Sequence, residues 1–228
     1  GSGSKAVIIG GGLLGLEAAG ALLSMGMDVT VVHLMDRLME RQLDKVSSEM
    51  LREDLVRLGM KVFLNTKTAA IEGNGKVEKV RFTNGEAVGA DLVLVSAGIM
   101  PDIALAKASN LYCERGIIVS DTMQTYDPAV YALGECVQHR GKTFGLVAPI
   151  FDQARVVANQ LAGDGRKPFK SMPTSARLKV SGVDLYSAGD LDLRVDDSVE
   201  YLDRKARVYR KILFEGGVIK GIVMYGDS

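Results

Sequence analysis

The sequence predicts an α/β protein built on a parallel sheet, with a small β-rich domain at its C-terminal end. Three observations carry that prediction. Lys5–Ile9 is a short apolar run that stops at three consecutive glycines and gives way at once to a helical stretch. Val29–Val32 is β-branched and apolar without alternation, the pattern of a strand buried on both faces. Arg207–Phe214 and Val218–Tyr225 are strand-like runs around Gly216-Gly217, which reads as an antiparallel hairpin.

The elements follow in order. Lys5–Ile9 is the first strand. Leu13–Met25 has apolar residues on most faces, as expected of a helix laid against a sheet, and Gly26 ends it. With the strand Val29–Val32 this makes one βαβ unit. Asp44–Leu58 places Val46, Met50, Leu51, Leu55 and Leu58 on a helical stripe, with Asp44 as N-cap and Gly59 just past the end. Val62–Leu64 is a third strand. Two short runs between Thr68 and Phe82 flank Gly73-Asn74-Gly75, a hairpin signal. Leu92–Val95 is a further apolar strand that runs into Ser96-Ala97-Gly98. A second segment starts near Ile117. In it, Val130–Leu133 reads as a strand ending at Gly134-Glu135, and Pro149–Leu161 as a helix with proline at its first position. A loop over residues 163–168 leads to the third segment, residues 171–228.

Composition narrows the function. The chain has 228 residues, 47% of them apolar, enough for a substantial core. Lys plus Arg and Asp plus Glu are both 28, so the formal charge is zero, and no basic stripe points to nucleic acid. No apolar run reaches the ~18 residues of a membrane helix. The start carries neither the positive charge nor the apolar stretch of a signal peptide, so a cytoplasmic protein is expected. Residues 1–4, Gly-Ser-Gly-Ser, read as a tag or linker. Cys113 and Cys136 are not a CxxC pair and cannot by themselves cage zinc. They are expected to be buried, reduced thiols, and no metal site is expected.

The glycines carry the chemistry. Gly10-x-Gly12-x-x-Gly15 follows a strand and opens a helix within a βαβ unit, which is the setting of a dinucleotide fingerprint in a Rossmann-like domain. Gly10 lets the chain turn at the strand end, Gly12 lets a pyrophosphate approach the backbone, and Gly15 lets the helix lie close to the sheet. The amides at Leu13 and Leu14 begin the helix, whose start offers free N–H groups and a partial positive charge. The ribose-binding acid expected about twenty residues on is replaced at the strand end by His33, with Asp36 and Arg37 nearby. A neutral His33 suits a ribose hydroxyl, while Arg37 suits a 2′-phosphate. NADH is favoured, and NADPH stays open. Glu17, early in the helix, complements the helix dipole.

With these residues in view the sequence resembles a known family. Gly10–Glu17, GGGLLGLE, is similar to the NAD(P)H motif of the FAD/NAD(P)-dependent pyridine nucleotide oxidoreductases. Gly116–Glu135 resembles their second FAD motif, with Glu135 where an aspartate is usual. Ala97-Gly98-Ile99-Met100-Pro101 resembles the family's Thr-Gly-x-x-Pro turn, with Ala97 replacing threonine. Within the family, Val31–Asp44 and Tyr131–Pro149 are similar to the large subunit of assimilatory NAD(P)H nitrite reductases.

The resemblance implies a relay from NAD(P)H to FAD N5, and then by single electrons to an iron–sulfur cluster and siroheme that reduce nitrite. No acid–base residue is required for the hydride step, and none is assigned. Glu17 is implied near the nicotinamide, Gly98 at a close approach of backbone to cofactor, and Gly134 and Glu135 at the FAD ribityl or ribose hydroxyls. Val147, Ala148 and Pro149 are implied at a helix start facing the flavin, or simply in loop-to-helix packing. The domains become a NAD(P)H-binding domain over 5–116, the second part of an FAD-binding domain over 117–165, and an interface domain over 171–228.

In the family the FAD-binding domain also draws on a stretch that precedes the position of Lys5. A fragment or engineered piece is therefore expected, inactive alone and without FAD, whose partners are the missing FAD, siroheme and iron–sulfur domains. Ile117–Ala162 is expected to be poorly supported and to pair with a second copy, as exposed strand edges invite. Three alternatives stand beside the nitrite reading: an NADH-dependent reductase of a rubredoxin-type carrier, a peroxide- or disulfide-reducing relative, and a non-catalytic NAD(H)-binding redox sensor. The charged residues Arg207, Arg210, Lys211 and Lys220 are expected to be solvated.

Overall fold

A computed structural model describes residues 3–165, 167–172, 175–189, 191 and 197–227. Parts of the expected 163–168 loop, of the third segment and of the N-terminal tetrapeptide lie outside the described residues. The chain forms two compact units, residues 1–98 with 173–228, and residues 99–172.

The first unit opens with β1 (Lys5–Ile9), α1 (Leu13–Ser24), β2 (Asp28–Val32), α2 (Lys45–Arg57) and β3 (Lys61–Phe63). It continues with a three-stranded antiparallel meander, β4 (Thr68–Glu72), β5 (Lys79–Phe82) and β6 (Ala87–Gly89), and then β7 (Leu92–Val95). The parallel sheet runs β3-β2-β1-β7. The unbroken apolar run of β1 is explained by two different covers. Ala6 and Ile8 face a core with Leu16 and Ala19 of α1 and Leu51 and Leu55 of α2. Val7 faces the other way, with Val80 and Phe82 of the meander and Ala90 just past it. Asp44 caps α2, accepting the Ser47 N–H at 3.0 Å, and Gly59 leaves it at φ +102°.

The second unit holds α3 (Ala104–Ala108), β8 (Ile117–Val119), β9 (Val137–His139), β10 (Lys142–Thr143) and α4 (Val147–Leu161). Its sheet runs β10-β9-β8, with β8 and β9 parallel. Residues 110–113, grouped by sequence with the nucleotide domain, bond here instead: Ile118 N–H donates to Tyr112 O at 3.2 Å, and Tyr126 OH to Asn110 O at 3.1 Å. Val130–Leu133 does not form the expected strand. Thr125 N–H bonds to Val130 O and Ala132 N–H to Met123 O, so the segment spends its backbone groups on a local loop. The strand comes four residues past that segment, at Val137. Helix α4 starts two residues earlier than expected, leaving Pro149 third in its first turn, where a missing N–H still costs nothing.

The expected lack of support for Ile117–Ala162 is corrected by a local core. Val119, Met123, Val137, Phe144, Val156, Val157 and Phe169 pack together, with Phe169 edge-on to His139 and Phe144. Arg140 and His139 bond Asp121 and hold its carboxyl down at about 2. Cys113 and Cys136 are free thiols and half-buried rather than buried.

The chain then returns to the first unit as β11 (Ser175–Arg177), β12 (Leu185–Gly189), β13 (Asp197–Asp203), β14 (Val208–Glu215) and β15 (Val218–Tyr225). These form an antiparallel sheet ordered β11-β12-β15-β14-β13. Leu185, Tyr209, Val223 and Tyr225 on one face join the core of α1 and α2. Gly20 on α1 allows the approach, since a Cβ there would lie 3.2 Å from Val180 Cγ1.

Polar contacts complete the junction and correct the expected solvation of its cations. Arg207 pairs with Glu53 at 2.9 Å and Asp54 at 2.8 Å and donates to Met50 O. Lys211 reaches Asp44 and Glu200, and Arg210 donates to the carbonyls of Tyr225 and Gly226. Tyr209 and Tyr225 donate to Asp44 and Asp54. Lys220, paired with Glu215, stays at the surface. Each of the other cations meets a carboxylate or carbonyl set in place by the fold. Burial opposes ionisation of Asp44, but bonds from Ser47 and Tyr209 and the Lys211 charge hold its carboxyl below the ordinary value.

Candidate functional site

The carboxyl ends of β1, β2 and β7 meet at one edge of the parallel sheet. Connections wind from β1 to β2 and β3 on one side, while β7 lies on the other, so β1 sits at the switch point where α/β sheets bind ligands. Gly10 N–H donates to Val32 O at 2.8 Å, and Ser96 N–H to Ile9 O at 2.8 Å. These bonds place the glycine turn between His33 and Ser96.

The three fingerprint glycines have distinct surroundings. Gly10 adopts φ +121°, and a Cβ there would lie 2.1 Å from Ser96 O. At Gly15 a Cβ would lie 2.1 Å from Gly10 O, so only glycine lets α1 settle this close. At Gly12 nothing lies within 4 Å of the Cβ position. Gly12 is also the N-cap of α1, and no side chain caps the helix. Leu13, Leu14 and Gly15 contribute first-turn N–H groups that have no intrahelical acceptor. An open backbone, uncapped donors and the positive end of a helix dipole fit the diphosphate of a dinucleotide.

Other sequence-predicted residues fall around this edge. Ala97 and Gly98 are exposed just past β7, with Gly98 at φ +94° and open space at its Cβ position. Glu17 Oε1 accepts the Lys179 N–H at 3.2 Å, so its carboxylate holds the C-terminal segment to α1. Arg37 donates to the Asp36 carboxylate at 3.4 Å and to Glu40 O at 3.3 Å.

His33 is placed differently from the expected direct ribose ligand. Its Nδ1 accepts the Gly11 N–H at 3.0 Å, and its Nε2 meets Glu40 Oε2 at 3.0 Å. Both ring nitrogens are engaged within the protein. Gly11 O in turn accepts the Met39 N–H at 2.9 Å. Glu40, the partner of that ring, is a contact that sequence reasoning missed. Its signal was the absence of an acid at the strand end, coupled with a carboxylate seven positions later.

In the second unit, Gly134 adopts φ +102° with open space at its Cβ position, and Glu135 is exposed. Gly134 N–H donates to Oε1 of the fully buried Gln153 at 2.8 Å, which ties the Gly-Glu turn to α4. Helix α4 begins after Leu146 without a side-chain cap, with Val147 and Ala148 exposed and Pro149 half-buried. An exposed carboxylate and an uncapped helix start within one unit fit the hydroxyls and polar ring edge of a flavin nucleotide. Burial pushes the Cys136 thiol up, the reverse of what an attacking thiolate needs. Among the described residues no group of three His, Cys, Asp or Glu side chains is placed to hold a metal ion. Nor, among them, is any helix long and apolar enough to cross a membrane.

Comparison with known proteins bears on the family and the fold. Residues 2–156 match the family described as pyridine nucleotide-disulphide oxidoreductase, and residues 175–228 match the rubredoxin NAD+ reductase C-terminal domain. The nitrite reductase [NAD(P)H] of Bacillus subtilis is 46% identical over 98% of this chain. The assimilatory nitrate reductase electron transfer subunit of the same organism is 39% identical over 98%. The chain spans 28% and 29% of the lengths of these two relatives. A FAD-dependent pyridine nucleotide-disulphide oxidoreductase from Desulfovibrio vulgaris superposes with a TM-score of 0.83 and 34% identity, over 98% of this chain and 59% of that one. Fold, glycine loop and sequence similarity agree, and the chain belongs to the pyridine nucleotide-disulphide oxidoreductase family.

Proposed function

We propose that this chain is the nicotinamide-binding part of a flavoprotein reductase that passes hydride from NAD(P)H to FAD and sends electrons onward for nitrite reduction. The observation that carries the reading is the uncapped start of α1 at the switch point of the parallel sheet. The amides from Gly12 to Gly15 hold the pyrophosphate, and the loop over residues 33–40 holds the adenosine ribose. Gly98 allows the backbone to come close to the nucleotide. Glu135 and the start of α4 hold the flavin nucleotide, with Gln153 fixing the Gly134 turn. FAD supplies, when bound, the change from a two-electron donor to one-electron acceptors. No proton-transfer residue is required of this chain. A cytoplasmic location goes with this reading.

The identity to nitrite reductases supports nitrite as the destination. The match of residues 175–228 to the rubredoxin reductase domain favours a second reading, in which the acceptor is a rubredoxin-type carrier. The complete protein separates them: NADH oxidation that depends on nitrite supports the first, and oxidation that depends only on added rubredoxin supports the second. The nucleotide site is tested on this chain by following amide shifts during NADH titration. Shifts centred on Gly10–Gly15 are expected, and undisturbed amides at saturation overturn the reading.

A further inference from the structure

In this loop architecture the end of the second strand is where a carboxylate accepts the ribose 2′-hydroxyl. Here that position is His33, 8% exposed, with its ring turned inward. A backbone N–H only donates, so the Gly11 bond makes Nδ1 the acceptor. The neutral imidazole then carries its proton on Nε2 and donates it to Glu40. His33 thus links the glycine loop to a carboxylate on the following segment.

That segment is held firmly against the loop. Met39 N–H bonds to Gly11 O, and Ser48 Oγ donates to Leu38 O at 2.9 Å. Leu38 is fully buried, and a Cβ on Gly11 would lie 2.5 Å from its Cδ2. Glu40 Oε2 takes the imidazole bond, while Oε1 has no hydrogen-bond partner among the described residues, and the side chain keeps about a quarter of its surface exposed. Arg37, the residue suited to a 2′-phosphate, is bonded to Asp36 and to the Glu40 carbonyl.

We infer that Glu40, positioned by His33, accepts the adenosine ribose hydroxyl through Oε1 and makes the site select NADH over NADPH. The inference rests on the reading of Gly10–Gly15 as the dinucleotide site. A carboxylate at this place bonds a 2′-hydroxyl and repels a 2′-phosphate. His33 is a positioning residue, acting through Glu40 and the Gly11 amide.

The test is calorimetric titration of this chain with NADH and with NADPH, for the wild type and for Glu40→Ala, Glu40→Gln and His33→Ala. The wild type is expected to bind NADH at least about tenfold more tightly than NADPH. Glu40→Ala is expected to lose about tenfold in NADH affinity and none in NADPH affinity, bringing the ratio near one. Glu40→Gln keeps an acceptor without charge, so it recovers part of the NADH affinity and tolerates NADPH. His33→Ala lowers the ratio in the same direction. If Glu40→Ala fails to fold by its melting curve, Glu40→Gln carries the test through its NADPH affinity. Variants that bind NADH with the wild-type ratio overturn this inference alone. A wild type that binds neither nucleotide overturns the dinucleotide reading, and this inference with it.

Discussion

Tyr209 donates its hydroxyl to Asp44 Oδ2 at 2.6 Å, and Asp44 is also the N-cap of α2. One carboxylate therefore closes the first turn of a helix and holds a strand 165 positions further along the chain. Removing the hydroxyl tests the link. Tyr209→Phe keeps the ring in the core and deletes a bond to a charged acceptor, which is worth about 1.5–3 kcal/mol. The urea midpoint is expected to fall accordingly. An unchanged midpoint would show that the bond contributes nothing.

The same carboxylate makes a pH prediction. The pKa of Asp44 lies below its ordinary value of 3.8 in the folded protein. Its contribution is therefore fully present at pH values above the ordinary range and is lost as pH falls below about 4 toward the folded value. Stability measured by denaturation from about pH 6 down to about pH 3 is expected to fall less steeply in Asp44→Asn than in the wild type. Parallel curves would contradict the assignment.

Gly10 and Gly12 lie two residues apart and predict opposite phenotypes. Gly10→Ala places a methyl against Ser96 O in a backbone region that disfavours side chains. A loss of about 1–3 kcal/mol or more in stability is expected. Gly12→Ala meets open space at φ −84°, so its melting temperature is expected to hold while NADH binding weakens by at least about tenfold. Equal effects on folding and binding in both variants would defeat the distinction.

Arg207 is the cation that joins the C-terminal sheet to the far end of α2. Arg207→Ala leaves Asp54, mostly buried, with the Tyr225 hydroxyl and the peripheral Arg57 as its side-chain partners among the described residues. A loss of about 2–3 kcal/mol is expected, somewhat under that of a fully buried pair. Thermal unfolding of the variant checks it, and a shift of less than about 0.5 kcal/mol would place Arg207 among ordinary surface charges.

The glycine loop, α1 and α2 were legible because their signals are local. A turn at φ +121° requires glycine at position 10, and the Asp44 cap lies three residues from the donor it serves. Val130–Leu133 was misread because its residues suit a strand while its backbone bonds are decided by Met123 and Thr125. Strands β9 and β10 are only three and two residues long, too short to carry a period. Arg207 and Lys211 looked solvated because their carboxylate partners Glu53 and Asp44 lie on α2 and at its cap, 154 positions earlier for Arg207 and further still for Lys211. The turned ring of His33 was hidden for a similar reason, since its orientation depends on Gly11, 22 positions back.

The first unit is interrupted in the chain by the second, and the Glu17–Lys179 bond spans 162 positions. On a ribosome adding ~5–20 residues per second, β1 through β7 emerge roughly ten seconds before the strands that cover α1 and α2. Residues 99–172 are contiguous and need not wait. This stretch of the nascent polypeptide therefore has an order of maturation imposed by its connectivity, with residues 99–172 free to finish before the two parts of the first unit join. Until that junction forms, Leu16, Leu51 and Leu55 keep an incomplete shelter, which makes this interval the one in which a chaperone has most to bind.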